Sequence, residues 1–264
     1  MVTQITLFGR DISLYLIMMI SGVLAFGFYA GLTAVKRKYN FIDMLMFFFI
    51  LSIGVIFGSH LLYALVHYKN TFNELENIKQ KNIISAIGSI FGGRTFYGGL
   101  IGALVLGWFV ILKDKNYIKY FDIIALGIPL FHFFAKIGCF LAGCCYGIES
   151  KIGFKYIDNH SAETDEIIRL PVQLLESFFC IILFFYLNYL FIKNKFENKL
   201  IYLYLLIYSA GRFFIEYLRG DASRGIWFHL STSQIISILI ILFILISSFI
   251  FYNKHKNNKR TDII

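Results

Sequence analysis

Apolar stretches close to the 20 or so residues that a helix needs to cross hydrocarbon recur along this chain, at 11–34, 43–66, 96–113, 121–145, 171–192, 198–218 and 230–252. Lipid offers no partner for a backbone N–H or C=O, so such stretches must satisfy their own hydrogen bonds, as helices do. Only 16% of the 264 residues are charged, against about a quarter in a soluble domain, and 58% are hydrophobic. The predicted fold is an all-α polytopic membrane protein with about seven transmembrane helices, forming a single integral-membrane domain over residues 1–264. Pro129 and Pro171 are the only prolines, no Pro- or Ser-rich linker divides the chain, and no internal repeat is evident. The first stretch does not read as a cleavable signal peptide, because Arg10 and Asp11 abut it with no basic segment before them.

Charge orients the spans. One alternate set of loops carries Lys36, Arg37, Lys38, Lys113, Lys115, Lys119, Lys193, Lys195, Lys199, Lys254, Lys256, Lys259 and Arg260, opposed only by Asp43, Asp114, Glu197 and Asp262. That set holds the whole formal charge of +9, because the remaining basic and acidic residues cancel. Cytoplasmic loops are the Lys- and Arg-rich ones, so the N-terminus is predicted outside and the C-terminus in the cytoplasm. Short lysine clusters beside apolar helices suit anionic membrane lipids, and no nucleic-acid partner is expected. The long loops at 67–92 and 146–170 then face outward, which predicts a function opening toward the outer face.

Ionisable residues inside such spans are costly and usually mark a functional interior. Asp122 and Lys136 are 14 positions apart, close to four helical turns, so both can face one interior. Pro129 between them, with Gly138 and Gly143 beyond, is expected to break or bend the helix. A structural salt bridge, or a lysine reaching toward the interface, accounts for the same residues. Arg212 and Glu216 form an i, i+4 pair in GRFFIEYLRGD, with Arg219 one turn on and Asp221 following; Tyr208 and Tyr217 flank the stretch. Arginine suits phosphate because its planar fork donates two hydrogen bonds at once, although an internal ion pair joining helices uses the same residues.

FGGRTFYGGLIGA at 91–103 opens the third span, and Gly98, Gly99 and Gly102 permit close helix packing. With Arg94 and Tyr97 the same segment can shape a pocket for a lipid head group. His60 follows Gly58 and Ser59 near the outer end of the second span, where it is either a hydrogen-bonded structural residue or part of that pocket. Cys139, Cys144 and Cys145 follow a C-x4-C-C spacing that is no standard zinc pattern, and no metal or cofactor is expected. They are small apolar filler, a reactive thiol or a disulfide, the last needing Cys139 because neighbouring cysteines do not bridge comfortably.

Taken in order, these segments resemble the bacterial prolipoprotein diacylglyceryl transferases over about residues 9–222. The matching elements are Tyr15 in the first span, GSHLLY at 58–63, GGRTFYGGLIG at 92–102, Asp122 and Pro129, KIGCFLAGCCYG at 136–147, PVQLLE at 171–176 and GRFFIEYLRGD at 211–221. The resemblance implies transfer of the diacylglyceryl group of phosphatidylglycerol to the lipobox cysteine thiol of a prolipoprotein signal peptide, at the bacterial cytoplasmic membrane. This is the first step of lipoprotein maturation, and it needs no cofactor. Catalytic roles would fall to Arg212, Lys136, Tyr97 and Glu216. Tyr15, His60, Arg94, Gly98, Gly99, Asp122, Cys139, Cys144 and Arg219 would bind substrate, with Arg212 holding the phosphate.

The family's signature segment reads close to G-R-x-G-N-F-x-N-x-E-x-x-G. Here the Gly-Arg is Ala135-Lys136, the two asparagines are Cys139 and Ala142, and the glutamate is Cys144; Tyr97 and His60 replace a histidine and an arginine. Lysine keeps the charge and loses the fork. Two other readings therefore stand beside the first: a transferase of the same fold with another acceptor or head group, and a lipid-binding or transport protein.

Overall fold

The computed structural model describes residues 4–7, 10–66, 93, 95–156, 167–220, 226–227 and 229–261. Among these, seven helices are long and apolar enough to cross a membrane. They are α1 (Leu14–Lys36), α2 (Phe41–Val66), α3 (Phe96–Lys113), α4 (Ile118–Leu141), α5 (Val172–Ile192), α6 (Leu200–Ile215) and α7 (Thr232–Thr261). Short 3-10 turns at Lys115–Tyr117 and Glu216–Leu218 precede α4 and extend α6. Many large apolar side chains point outward, Leu24, Phe28, Phe57, Trp108, Phe178 and Phe249 among them. Water would penalise that surface, whereas lipid tails solvate it.

The all-α expectation needs one correction. Among the described residues there are three two-stranded antiparallel pairs: β1 (Gln4–Leu7) with β2 (Arg10–Ser13), β3 (Glu149–Lys155) with β4 (Ile168–Arg169), and β5 (Ile226–Trp227) with β6 (Leu230–Ser231). Each lies between or before helices, where the chain must hydrogen-bond its backbone by other means.

Of the break or bend expected at Pro129, the break is absent: α4 runs unbroken from Ile118 to Leu141. Proline removes one backbone donor, and in a packed membrane bundle neighbouring groups take up the freed carbonyl. The helix ends instead just beyond Leu141, where Gly143 takes the left-handed backbone at φ 74° that favours glycine.

The chain divides into two compact units, Met1–Phe26 with Ala125–Ser223 and Ser233–Ile264, and Gly27–Ile124 with Arg224–Thr232. In the second unit α2 and α3 pack through Gly54, Gly58, Gly98 and Gly102, each so close that an added Cβ would meet the facing backbone. Without a hydrophobic drive between helices in lipid, such close van der Waals approach is what holds them together. The first unit uses the same device between α1 and α4: Gly138 lies against Tyr15 and Met18, and Gly22 against Phe131 and Phe134.

Candidate active site

Within the first unit, three helices and the turn after α6 bring ionisable side chains to one point. Glu176 is at the centre, 2% exposed, in the second turn of α5. Its Oε2 accepts from Lys136 Nζ of α4 at 2.9 Å and from Arg212 Nη1 of α6 at 3.0 Å. Its Oε1 accepts from the Tyr208 hydroxyl at 3.3 Å and lies 3.7 Å from His132 Nε2. The other face of Arg212 meets Glu216, with Nη2 2.6 Å from Oε2, and Arg219 Nη1 lies 3.9 Å from that same oxygen. Burying a carboxylate is costly unless it is paired and hydrogen-bonded, and both oxygens of Glu176 meet that condition.

Among the described residues, Lys136, Arg212 and Arg219 face Glu176 and Glu216 in this cluster.

The turn after α4 is stitched to both neighbouring segments. Gly147 N donates to Leu170 O at 3.0 Å, Ile148 N to Leu218 O at 2.9 Å and Gly220 N to Tyr146 O at 3.0 Å. Gln173 Nε2 donates to Cys144 O at 2.7 Å, and Gln173 Oε1 accepts from the Tyr156 hydroxyl at 3.1 Å. These bonds tie Arg219 and the cysteines to the same framework. Cys139, Cys144 and Cys145 are all free thiols, and their sulfurs lie within 4.8 Å of one another. The spacing argument missed this convergence because it took no account of the turn: Cys145 sits at φ 58°, a left-handed conformation uncommon for a side chain of this kind.

Hydrogen bonds with Cys139 and Cys144 hold the Cys145 thiol well below its ordinary range, and the Lys136 and Arg219 charges act the same way against burial. For Cys144 the bond with Cys139 lowers the value, but the bond with Cys145 and burial outweigh it, and the thiol is pushed up to about 12. Thiolate is the reactive form, so a lowered thiol stays reactive as pH falls and a raised one does not. Iodoacetamide at neutral pH is therefore expected to label Cys145 ahead of Cys144, which needs strongly alkaline conditions. Peptide masses across a pH series check this, and equal labelling of both at neutral pH contradicts it.

Of the residues singled out from sequence, Lys136, Arg212, Glu216 and Arg219 meet in this cluster. Cys139 and Cys144 meet beside it, and Tyr15 packs where Gly138 approaches α1. Asp122 is buried near the start of α4, about 21 Å along the helix axis from Lys136 at 1.5 Å per residue, so the two do not form a pair. Tyr97, Gly98 and Gly99 are buried in α3 of the second unit. There Gly98 lies against Gly58 and Leu62, and Gly99 against Val55 and Ser59. His60 Nδ1 lies 3.0 Å from Gly93 O, tying the end of α2 to the segment entering α3. Arg94 and Asp221, like the loop at 67–92, lie outside the described residues.

Glu176 and His132 were not singled out. The only signal for Glu176 was its place in PVQLLE, a carboxylate five residues into a span.

Fold and cluster together define a polytopic membrane protein with a buried cluster of cations and carboxylates where α4, α5 and α6 meet. The family model for prolipoprotein diacylglyceryl transferase matches residues 3–250. A Clostridium tetani protein named phosphatidylglycerol–prolipoprotein diacylglyceryl transferase is 34% identical over 239 residues, covering 89% of this chain and 92% of its own. A Clostridium perfringens protein of that name, numbered 2, is 35% identical over 231 residues, covering 86% of this chain and 84% of its own. A Campylobacter lari relative with the same function in its name is 29% identical over 265 residues, covering 97% and 95%. This chain belongs to the prolipoprotein diacylglyceryl transferase family.

Proposed function

We propose that this protein is a phosphatidylglycerol–prolipoprotein diacylglyceryl transferase whose head-group site is the Lys136–Glu176–Arg212–Glu216–Arg219 cluster. It is a transferase, as its family membership supports. The observation that carries the site is the burial of three cations, Lys136, Arg212 and Arg219, at one place in the bundle beside Glu176 and Glu216. The reaction replaces a phosphodiester bearing one negative charge with a departing glycerol phosphate bearing two at neutral pH. Cations fixed beside the phosphate therefore stabilise the transition state more than the ground state, and only that difference accelerates chemistry.

In this mechanism Arg212 and Arg219 hold the phosphate oxygens, while Glu176 and Glu216 keep both guanidinium groups aimed and limit their cost when no lipid is present. Lys136 adds a point charge. The acceptor thiol loses its proton to solvent, its sulfur forms the bond to the glyceryl carbon, and the carbon–oxygen bond to phosphate breaks, sending its electron pair to the phosphate. Tyr97 contributes a hydrogen bond to the substrates, and His60, Arg94, Gly98 and Gly99 bind substrate; the support for these five is the GSHLLY and GGRTFYGGLIG motifs. Tyr15 and Asp122 bind substrate, and the support for both is their place in the segments that resemble the family.

The whole chain acts as one multi-pass domain of the bacterial cytoplasmic membrane, with its N-terminus outside, its C-terminus inside and its site toward the outer face. The support is the charge asymmetry of the loops. A fluorescent protein fused to the C-terminus is expected to fluoresce in bacteria, and an alkaline phosphatase fused there to be inactive. The reverse pair of results contradicts the orientation.

Complementation tests the activity. In a strain depleted of its own diacylglyceryl transferase, this chain is expected to restore growth and the mass of a diacylglyceryl group on lipoproteins. The replacement of signature residues by Lys136, Cys139, Ala142 and Cys144 favours one second reading, a transferase with another acceptor or head group. Failure to complement despite normal membrane levels selects that reading.

A further inference from the structure

The three clustered thiols have no part in that mechanism, yet they lie beside its cations. Cys139 is buried near the end of α4, Cys145 is half-buried and Cys144 is exposed, so the cluster is open on one side. Their sulfurs converge within 4.8 Å although they come from a helix and from the turn after it.

The backbone makes this convergence fixed. Cys144 N donates to Cys139 O at 3.1 Å, Gly143 N to Phe140 O at 3.2 Å, and Gln173 Nε2 holds the Cys144 carbonyl at 2.7 Å. The left-handed backbone at Gly143 and again at Cys145 turns the chain back on itself. A non-glycine residue persists in that conformation only where its surroundings over-determine it, and such positions concentrate at functional sites.

A soft cation of the zinc class binds sulfur at about 2.3 Å, which puts tetrahedral sulfurs about 3.8 Å apart. A cluster spanning 4.8 Å needs to close by only about an ångström to reach this, and the exposed Cys144 is placed to move.

We infer that Cys139, Cys144 and Cys145 form a three-sulfur site for a divalent cation of the zinc class. Three protein sulfurs leave the fourth tetrahedral position to another donor, as in catalytic rather than structural zinc sites. In the proposed reaction the acceptor is a thiol, and a thiol entering that position gives its proton to solvent and is held as thiolate. This second step rests on the transferase reading; the metal site does not.

The test uses the full chain in detergent, purified under reducing conditions and titrated with Co2+ as the optical probe. The expected result is one equivalent bound, with an intense sulfur-to-cobalt charge-transfer band that Zn2+ abolishes. Outer-shell changes at metal sites already weaken affinity 10- to 100-fold, so Cys139→Ser, Cys144→Ser and Cys145→Ser are each expected to weaken it by more than about 100-fold. Cys180→Ser, a buried cysteine outside the cluster, is expected to leave binding unchanged and serves as the folding control. No charge-transfer band, or a band that survives all three substitutions, overturns the site, as does a mass showing a Cys139-linked disulfide that resists reductant. A cysteine-containing lipobox peptide is expected to shift the cobalt band while its serine counterpart does not. An unshifted band overturns the acceptor role, and failure of the transferase reading is seen separately, by absence of diacylglyceryl transfer in lipoprotein mass.

Discussion

Arg212→Ala is expected to reduce diacylglyceryl transfer by about 100- to 1,000-fold, the usual cost of removing one preorganised donor from a developing negative charge. Arg212 joins both carboxylates of the cluster, at 3.0 Å to Glu176 and 2.6 Å to Glu216. Its removal therefore also takes from Glu216 a cation nearer than Arg219, which lies 3.9 Å away. Arg212→Lys separates charge from shape. It retains the cation and loses the two-pronged donor, so transfer is expected to fall substantially while the protein keeps its folded state. Initial rates with a lipobox peptide and phosphatidylglycerol measure both variants, with gel filtration in detergent as the check on folding. A folded Arg212→Ala protein with wild-type rates contradicts the phosphate assignment.

Glu176→Ala is expected to produce the largest loss of stability of any single change in the cluster. Removing one partner of a buried ion pair typically costs about 3–5 kcal/mol, because the other partner stays buried and uncompensated. Here Lys136 loses its carboxylate, Arg212 loses one of its two, and the hydroxyl of Tyr208 loses an acceptor. Glu176→Gln keeps an oxygen that accepts from Arg212 or Tyr208, and is expected to lose less. Thermal unfolding in one detergent compares the two, and a double-mutant cycle with Lys136→Met isolates the pair. In the cycle, removing Lys136 is expected to offset part of the Glu176→Ala loss, since fewer charges are left unpaired. Unchanged unfolding temperatures in Glu176→Ala would remove Glu176 from the centre of the network.

These two residues also mark what was legible in the sequence. Arg212 and Glu216 stood out because an i, i+4 ion pair inside an apolar run has no cheap explanation in lipid. Glu176 did not, since its partners lie 36 and 40 positions away in sequence, as Arg212 and Lys136, and only the packing of α4, α5 and α6 brings them together. The spans themselves were readable to within a few residues because hydrocarbon thickness fixes their length. The fourth was read too long, to residue 145, because Gly143, Cys144 and Cys145 are as apolar as the helix they terminate. Strands as short as Ile168–Arg169 carry no alternating pattern to detect. The meeting of three thiols depended on two left-handed residues, which composition does not announce.

The central claim is that the Arg212 cluster serves the transfer of a lipid group from an anionic phospholipid to a thiol. It is tested most directly by incubating the purified protein with a lipobox peptide in bilayers of phosphatidylglycerol or of phosphatidylcholine. With phosphatidylglycerol, the peptide is expected to gain the mass of a diacylglyceryl group on its cysteine, with glycerol phosphate released in equal amount. Neither product is expected with phosphatidylcholine, or with a peptide carrying serine in place of cysteine. A folded protein that transfers nothing from phosphatidylglycerol, or that transfers equally well from phosphatidylcholine, contradicts the account.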